Sequence, residues 1–94
     1  MTIRHTSTFK AFYEQVPVAK PDWGTFETLN FLFRLGFYLY FLQQNNFLII
    51  INEDDYGISH NNKLVDCEIN TKKSELELYA LVVDKCLNLI ENPF

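Results

Sequence analysis

Apolar residues are concentrated in two unbroken runs near the middle of the chain. The first run covers residues 37–42, the second covers residues 47–51, and the four residues between them, 43–46, are all polar. Short runs rich in β-branched and aromatic residues favour strands, and continuous apolarity favours strands that are buried on both faces. The pattern therefore predicts a central β-hairpin that other elements cover on each side.

The run 37–42 also admits a second interpretation. Apolar residues at helical spacing predict a helix over 25–35, capped by Asp22 or Thr25, and Gly36 stands where a residue that ends a helix is expected. The helix could instead continue through Gly36 to Leu42, because Leu, Phe and Tyr are compatible with helix. We prefer a break at Gly36, since a helix that is apolar on all sides needs a degree of burial that a small domain can hardly provide.

The two ends of the chain carry helical patterns. Phe9, Phe12, Tyr13 and Val16 recur at helical spacing and predict a helix over 8–15, which a proline-rich connector follows.

A longer helix is expected at the other end of the chain. It begins at Thr71, or at Ser74 with Glu77 in a capping box, and ends near Glu91.

Residues 63–69 alternate between two faces. Val65, Cys67 and Ile69 share the apolar face, whereas Lys63, Asp66 and Glu68 fall largely on the other. This alternation is typical of an outer strand with one solvated face, and the apolar face is expected to carry an inert Cys67 thiol toward the core. A short stretch at 58–60 is expected to pair back across the turn-forming pair 61–62.

These elements predict one α+β domain over 1–94, with a small antiparallel sheet of three or four strands. The predicted order is α-α-β-β-β-α, in which 1–21 form the N-terminal helix and connector and 22–94 form the α-β-β-β-α core. The last helix carries more apolar surface than one sheet contact needs. We therefore expect a homodimer with Leu78 and Leu81 in its interface.

The net charge of −4 and the scattered basic residues limit the classes of partner that the chain is expected to bind. Phosphate binding requires a basic patch, so nucleic acid is not expected. The longest apolar window, 26–42, contains Glu27, Asn30 and Arg34, so no membrane span is expected. The N-terminus lacks the pattern of a secretory signal, which predicts a cytoplasmic location.

Acidic residues form the principal chemical cluster in the sequence. An exposed acidic turn with a charged strand face would fit a basic surface on another protein, with the candidate contacts Glu53, Asp54, Asp55, Tyr56, Asp66 and Glu68. The alternative is a small metal-dependent hydrolase or nuclease that uses Asp54, Asp55, Asp66 and Glu68. We favour the binding role and assign no cofactor, metal or catalytic residue.

The predicted layout of 25–35, 37–42, 47–51, 63–69 and 71–91, with the junction Leu35-Gly36-Phe37, resembles the small α-β-α sandwich proteins that phages and prophages encode. The resemblance implies an inhibitor of host defence, similar to anti-CRISPR proteins, that acts by binding in the host cytoplasm. Double-stranded-RNA-binding domains share this order. The last helix here begins with only Lys72 and Lys73 as basic residues, so RNA binding is not expected.

Overall fold

The structure, a computed structural model, describes residue 3 and residues 5–92. Within these residues, the elements follow in the order α1 (Ser7–Gln15), α2 (Trp23–Thr28), α3 (Phe31–Gln44), β1 (Phe47–Ile51), β2 (Tyr56–His60), β3 (Lys63–Glu68) and α4 (Glu75–Glu91). The α+β class and the three-stranded antiparallel sheet are confirmed. Three consecutive strands lie between the N-terminal helices and one closing helix, as predicted.

The largest departure from the sequence prediction is α3, which includes the first predicted strand. Residues 37–42 are helical, so the preferred break at Gly36 is wrong and the continuous helix is the correct alternative. Gly36 lies within α3 at a position where a Cβ would meet no other atom. The helix ends before Asn46, whose φ of 64° is the left-handed conformation common at the residue after a helix.

Burial along α3 explains why an apolar helix is tolerated here. Its buried residues recur at helical spacing and are Phe31, Arg34, Tyr38, Phe41 and Leu42. Complete burial is not reached, because Phe33 on the opposite side is 71% exposed.

Helix α3 has its own N-cap at Asn30, whose side chain accepts a hydrogen bond from the Phe33 N–H. The single helix predicted over 25–35 is therefore two helices, α2 and α3.

The sheet has the order β1-β2-β3, and both strand pairs are antiparallel. The predicted strand 47–51 is confirmed as β1, but its partner is β2 rather than residues 37–42. Asn61 and Asn62 join β2 to β3 with φ values of 52° and 67°. Two consecutive left-handed residues form the type of two-residue turn that matches the twist of a hairpin.

The helices at the two ends of the chain confirm the predictions. Thr6 caps α1, accepting a hydrogen bond from the Phe9 N–H. Ser74 and Glu77 form the expected capping box at the start of α4. These two helices also meet, since a Glu91 carboxylate oxygen accepts a hydrogen bond from the Thr8 N–H at 3.0 Å.

One face of the sheet is covered by helices. Helix α4 packs on β1 and β2, and α3 packs on both α4 and β1. Ile58 on β2 and Val83 on α4 are fully buried between these layers. Ile50 belongs to the run 47–51 that was expected to be buried on both faces, but it is 54% exposed on the opposite face of the sheet. The prediction for Ile50 is wrong because no described element of the chain covers that face.

Candidate partner-binding surfaces

The acidic turn, residues 52–55 with Glu53, Asp54 and Asp55, connects β1 to β2 and is held in place by backbone contacts. The Asp54 carbonyl accepts hydrogen bonds from the N–H and the hydroxyl of Thr71, at 2.9 and 2.7 Å. The Asp55 carboxylate accepts one from the Asn70 N–H at 3.0 Å. The turn is therefore fixed to the connection between β3 and α4.

The acidic turn concentrates negative charge. A hydrogen bond with the Asp55 carboxyl raises the pKa of Asp54, with burial and the charges of Asp55 and Glu53 acting in the same direction. In the described part of the chain, Lys85 pairs with Asp66 and His5 lies 3.6 Å from Glu27, so neither basic group neutralises the turn. An unneutralised and fixed acidic loop is suited to contact a basic surface.

Asp66 occupies a different environment from the turn. Its carboxylate lies 2.8 Å from the Lys85 ammonium and accepts a hydrogen bond from the Tyr56 hydroxyl at 3.0 Å. The Lys85 ammonium also donates to that hydroxyl at 2.6 Å. These contacts connect α4 to both β2 and β3.

The pKa shifts in this cluster follow from the same contacts. The hydrogen bond from Lys85 lowers the pKa of Asp66. Burial alone would lower the pKa of Lys85, but its hydrogen bonds to Asp66 and Tyr56 outweigh burial and raise it. Burial raises the pKa of Tyr56.

Two of the predicted contact residues are therefore unsuited to that role. Tyr56 is only 3% exposed, and Asp66 is already paired with Lys85. The physical reason is that β3 turns Asp66 toward α4, whereas the alternation had placed it on the solvated face. Glu53 and Glu68 are exposed, and Asp54 and Asp55 are half-buried.

The predicted carboxylates do not form a metal centre in the described residues. No group of three or more His, Cys, Asp and Glu side chains there is arranged to hold a metal ion. Asp66 binds Lys85 beneath α4, while Asp55 binds the backbone beyond the end of β3. Two of the four carboxylates of the metal-dependent alternative therefore have different partners in the described structure.

The sheet's uncovered side is here called the open sheet face. Its side chains alternate with the inward ones, and the strand register aligns them in two rows. The six residues of the open sheet face are Leu48, Ser59 and Leu64 in one row and Ile50, Gly57 and Cys67 in the other. Leu48 is 60% exposed and Leu64 is 66% exposed.

The open sheet face was missed because the alternation in β3 is interrupted. Ile58 pairs with Asp66, but the next residue of β2, Ser59, pairs with Leu64. Val65 is therefore the extra residue of a β-bulge, which lets Leu64 and Cys67 point to the same side. Cys67 is exposed, so the expectation of a thiol in the core is wrong for this residue. Ile69, just beyond β3, is likewise 72% exposed.

A second exposed apolar surface lies along the outer side of α3. The proline-rich connector and α3 form a shallow groove of about 210 Å³. Its lining residues are Val16, Val18, Phe33, Gly36, Phe37 and Tyr40. Phe33 and Tyr40 remain exposed in this groove.

The predicted dimer surface on α4 is not available at Leu78. This side chain is fully buried in the core, and Leu81 is partly buried against the same core. Helix α3 packs beside α4, which the interpretation of 37–42 as a strand did not allow. The chain itself thus covers the flank of α4 that the sequence left for a second copy.

A buried polar group at the aromatic core was also missed. The Tyr38 hydroxyl lies 2.6 Å from Nε2 of His5 and accepts a hydrogen bond from the Arg34 guanidinium at 2.8 Å. Burial and the nearby Arg34 lower the pKa of His5. Burial raises the pKa of Tyr38 to about 12. Arg34 and Tyr38 lie four residues apart in α3, but this spacing was lost when 37–42 were assigned to a strand, and His5 lies outside any helix or strand.

Comparisons with protein families, curated proteins and solved structures found no match for this chain. Among the helices in the described residues, none combines the length and apolarity needed to cross a membrane.

Proposed function

We propose that the chain is a non-enzymatic, acidic protein-binding module that occludes a basic surface of another protein. The acidic turn is the observation that carries this proposal. It presents three consecutive carboxylates, Glu53, Asp54 and Asp55, without an ion pair to any described residue. Charge of one sign on a surface speeds and selects the encounter with a partner of opposite sign.

The rigidity of the acidic turn supports the same role. Thr71 and Asn70 hold the backbone of Asp54 and the carboxylate of Asp55. A contact loop that is already ordered loses little conformational entropy on binding. We assign the contact to Glu53, Asp54 and Asp55 with the exposed Glu68, and leave Tyr56 and Asp66 to structural roles.

A narrower role, that of a phage-type inhibitor of host defence acting in the host cytoplasm, rests on the order of the elements alone. The structure keeps a helix, three strands and a closing helix from α3 to α4, but β2 takes the place of the strand predicted over 37–42. The junction at Leu35-Gly36-Phe37 no longer contributes to it, because these residues lie inside α3.

The test is affinity capture from the native host with two matched charge reversals. Asp54→Lys alters the turn but keeps the carbonyl that Thr71 binds. Glu14→Lys makes the same change of charge at an exposed position on α1. We expect the Asp54→Lys variant to lose its captured protein, while the Glu14→Lys variant retains it and both melt near the temperature of the unmodified protein.

Two results would contradict the proposal. Equal capture by both variants would remove the acidic turn from the contact. An activity that disappears with a chelator and returns with Mg²⁺ would favour the metal-dependent alternative.

A further inference from the structure

The outer edge of β1, the side of this strand that faces away from β2, lies at the margin of the sheet. Two hydrogen bonds that flank the strand show which of its backbone groups point toward β2. Before the strand, the Asn46 carbonyl accepts a hydrogen bond from the Asn61 N–H at 3.1 Å. After the strand, the Asn52 N–H donates to the Asp55 carbonyl at 3.0 Å. The register between these two bonds is continuous.

The backbone groups of β1 therefore alternate in a known sense. Hydrogen-bonded pairs recur at every second residue of an antiparallel ladder, so Leu48 and Ile50 bond to β2. Phe47, Ile49 and Ile51 turn their N–H and C=O groups outward. No hydrogen bond among the described residues reaches these outward groups. The outer edge thus offers one donor and one acceptor at every second residue, as an edge strand does before it pairs.

The two edges of the sheet differ in their protection against strand addition. The edge strand β3 carries the bulge at Val65, the inward-pointing Asp66 and the charged residues Lys63 and Glu68. Each of these features opposes the addition of a further strand. Strand β1 has none of them, because its five residues are apolar and its register is continuous. An edge of this kind accepts an extended peptide as an additional strand.

The helical cover is also incomplete at the outer edge of β1. Ile58 on β2 is fully buried under the helices. Ile49 pairs with Ile58 and points to the same side, yet Ile49 and Ile51 are only partly buried. A strand added beside β1 would extend the sheet under these two side chains and bury more of their surface.

The acidic turn determines which class of strand fits this edge. It follows β1 directly, so Glu53, Asp54 and Asp55 lie at the end of the outer edge. No basic group of the described residues pairs with them. A partner strand that runs antiparallel to β1 begins beside Ile51, at the end where β1 stops. Basic residues that precede such a strand would lie next to the acidic turn.

We propose that β1 receives an extended segment of another protein as a fourth, antiparallel strand. The segment carries Lys or Arg residues followed directly by a strand-forming stretch of about five residues. Its backbone bonds to Phe47, Ile49 and Ile51, and its basic residues contact the acidic turn. This inference rests on the proposed function, since it names the kind of partner segment that the same binding role requires.

A synthetic peptide tests this geometry without any change to the protein. The probe carries three lysines followed by five alternating valine and threonine residues, with both ends blocked. The first control peptide has the lysines after the strand residues, which moves the charge away from the acidic turn. The second control has an N-methyl group on every strand residue, so that it keeps the charge but loses the backbone donors.

Amide hydrogen exchange followed by NMR reports on the edge residue by residue. In the free protein, the N–H groups of Leu48 and Ile50 should exchange slowly because they bond to β2. Those of Phe47, Ile49 and Ile51 should exchange rapidly. This alternation measures whether the outer edge is open before any peptide is added.

The probe should protect the outer edge of β1 alone. We expect exchange at Ile49 to slow by about tenfold or more, and exchange at Cys67, whose N–H faces outward on β3, to stay unchanged. A single short strand is a small contact, so we expect a dissociation constant on the order of 100 μM. Both control peptides should bind about tenfold more weakly, and salt should weaken the probe because its charges are exposed.

The results distinguish this inference from the proposed function. Equal binding of the N-methylated peptide and the probe would mean that the acidic turn acts without the edge, which overturns the inference and leaves the proposed function intact. Capture of the native partner by Asp54→Lys would contradict the proposed function, whereas protection of Ile49 by the probe would still support strand addition.

Three further results would overturn the inference. One is slow exchange at Ile49 in the free protein, because the edge would then already be paired. Another is the absence of protection at about 1 mM probe, well above the expected dissociation constant. The third is equal binding of the probe and the peptide with its lysines at the other end, which would contradict the antiparallel direction.

Discussion

The two faces of the sheet are built from the same strands but have opposite surroundings. Toward the helices, Ile58 is fully buried in the core that also contains Val82 and Val83 of α4. On the other side, Ile50 remains more than half exposed although it is just as apolar. An apolar run in a strand therefore does not by itself show that the chain covers both faces of that strand.

The largest difference between the faces should appear in single truncations. Ile58→Ala removes a fully buried side chain, and we expect it to lower the free energy of unfolding by about 2 to 5 kcal/mol. Ile50→Ala on the open sheet face should cost less than about 0.5 kcal/mol in the monomer, as is usual for exposed positions. Urea unfolding of dilute protein measures both. Equal losses would mean that the open sheet face is covered within one chain.

A smaller effect is expected where β3 meets α4. Asp66→Asn weakens the contact between residue 66 and Lys85. The side chain of Asp66 is 34% exposed and that of Lys85 is 37% exposed. Solvent screens such a pair, so we expect a loss of about 1 kcal/mol or less. The contribution should be full at neutral pH and lost as the pH falls through the lowered pKa of Asp66, because only the carboxylate form is stabilised. A double-mutant cycle with Lys85→Met isolates the pair.

Gly36→Ala should stabilise the helical side of the molecule without touching the sheet. The position lies within α3 and an added Cβ meets nothing. Alanine in a helix interior is favoured over glycine by about 0.5 to 1 kcal/mol. Thermal unfolding should therefore shift upward. A loss of stability would argue against a continuous helix through this residue.

The smallest expected effect is a pH dependence of the free energy of unfolding that comes from His5, which packs among the helices. Because the pKa of His5 is lowered in the folded chain, the unfolded chain binds a proton first as the pH falls. Stability should therefore decline as the pH falls through the ordinary histidine value of 6.5. Arg34 and Glu27 act on His5 in opposite directions, but burial is the leading cause. His5→Asn should flatten the curve between pH 8 and pH 5.5, and an unchanged slope would exclude His5 as its source.

The parts of the fold that follow local rules were predictable. Ser74 with Glu77 identified the start of α4, and the pair Asn61 and Asn62 carried the turn chemistry of a hairpin. The strand 47–51 was also recognised from its composition alone.

The predictions that failed concern features that depend on tertiary contacts. Residues 37–42 were assigned to a strand because an apolar helix was expected to be fully buried, yet Phe33 and Tyr40 of α3 remain exposed. The facing of β3 depends on a bulge at Val65 and on Lys85 reaching Asp66 from α4. The local alternation of residues does not predict either feature. Tyr56 and Asp66 therefore could not be distinguished from the contact residues in the acidic turn.

The two cysteines offer the most direct measurement of how the faces differ. Cys67 lies exposed on the open sheet face, whereas Cys86 is fully buried and burial raises the pKa of its thiol to about 12. In dilute protein, alkylation should modify Cys67 rapidly and Cys86 only slowly. A Cys67 that reacts as slowly as Cys86 would contradict a sheet face that the chain leaves open.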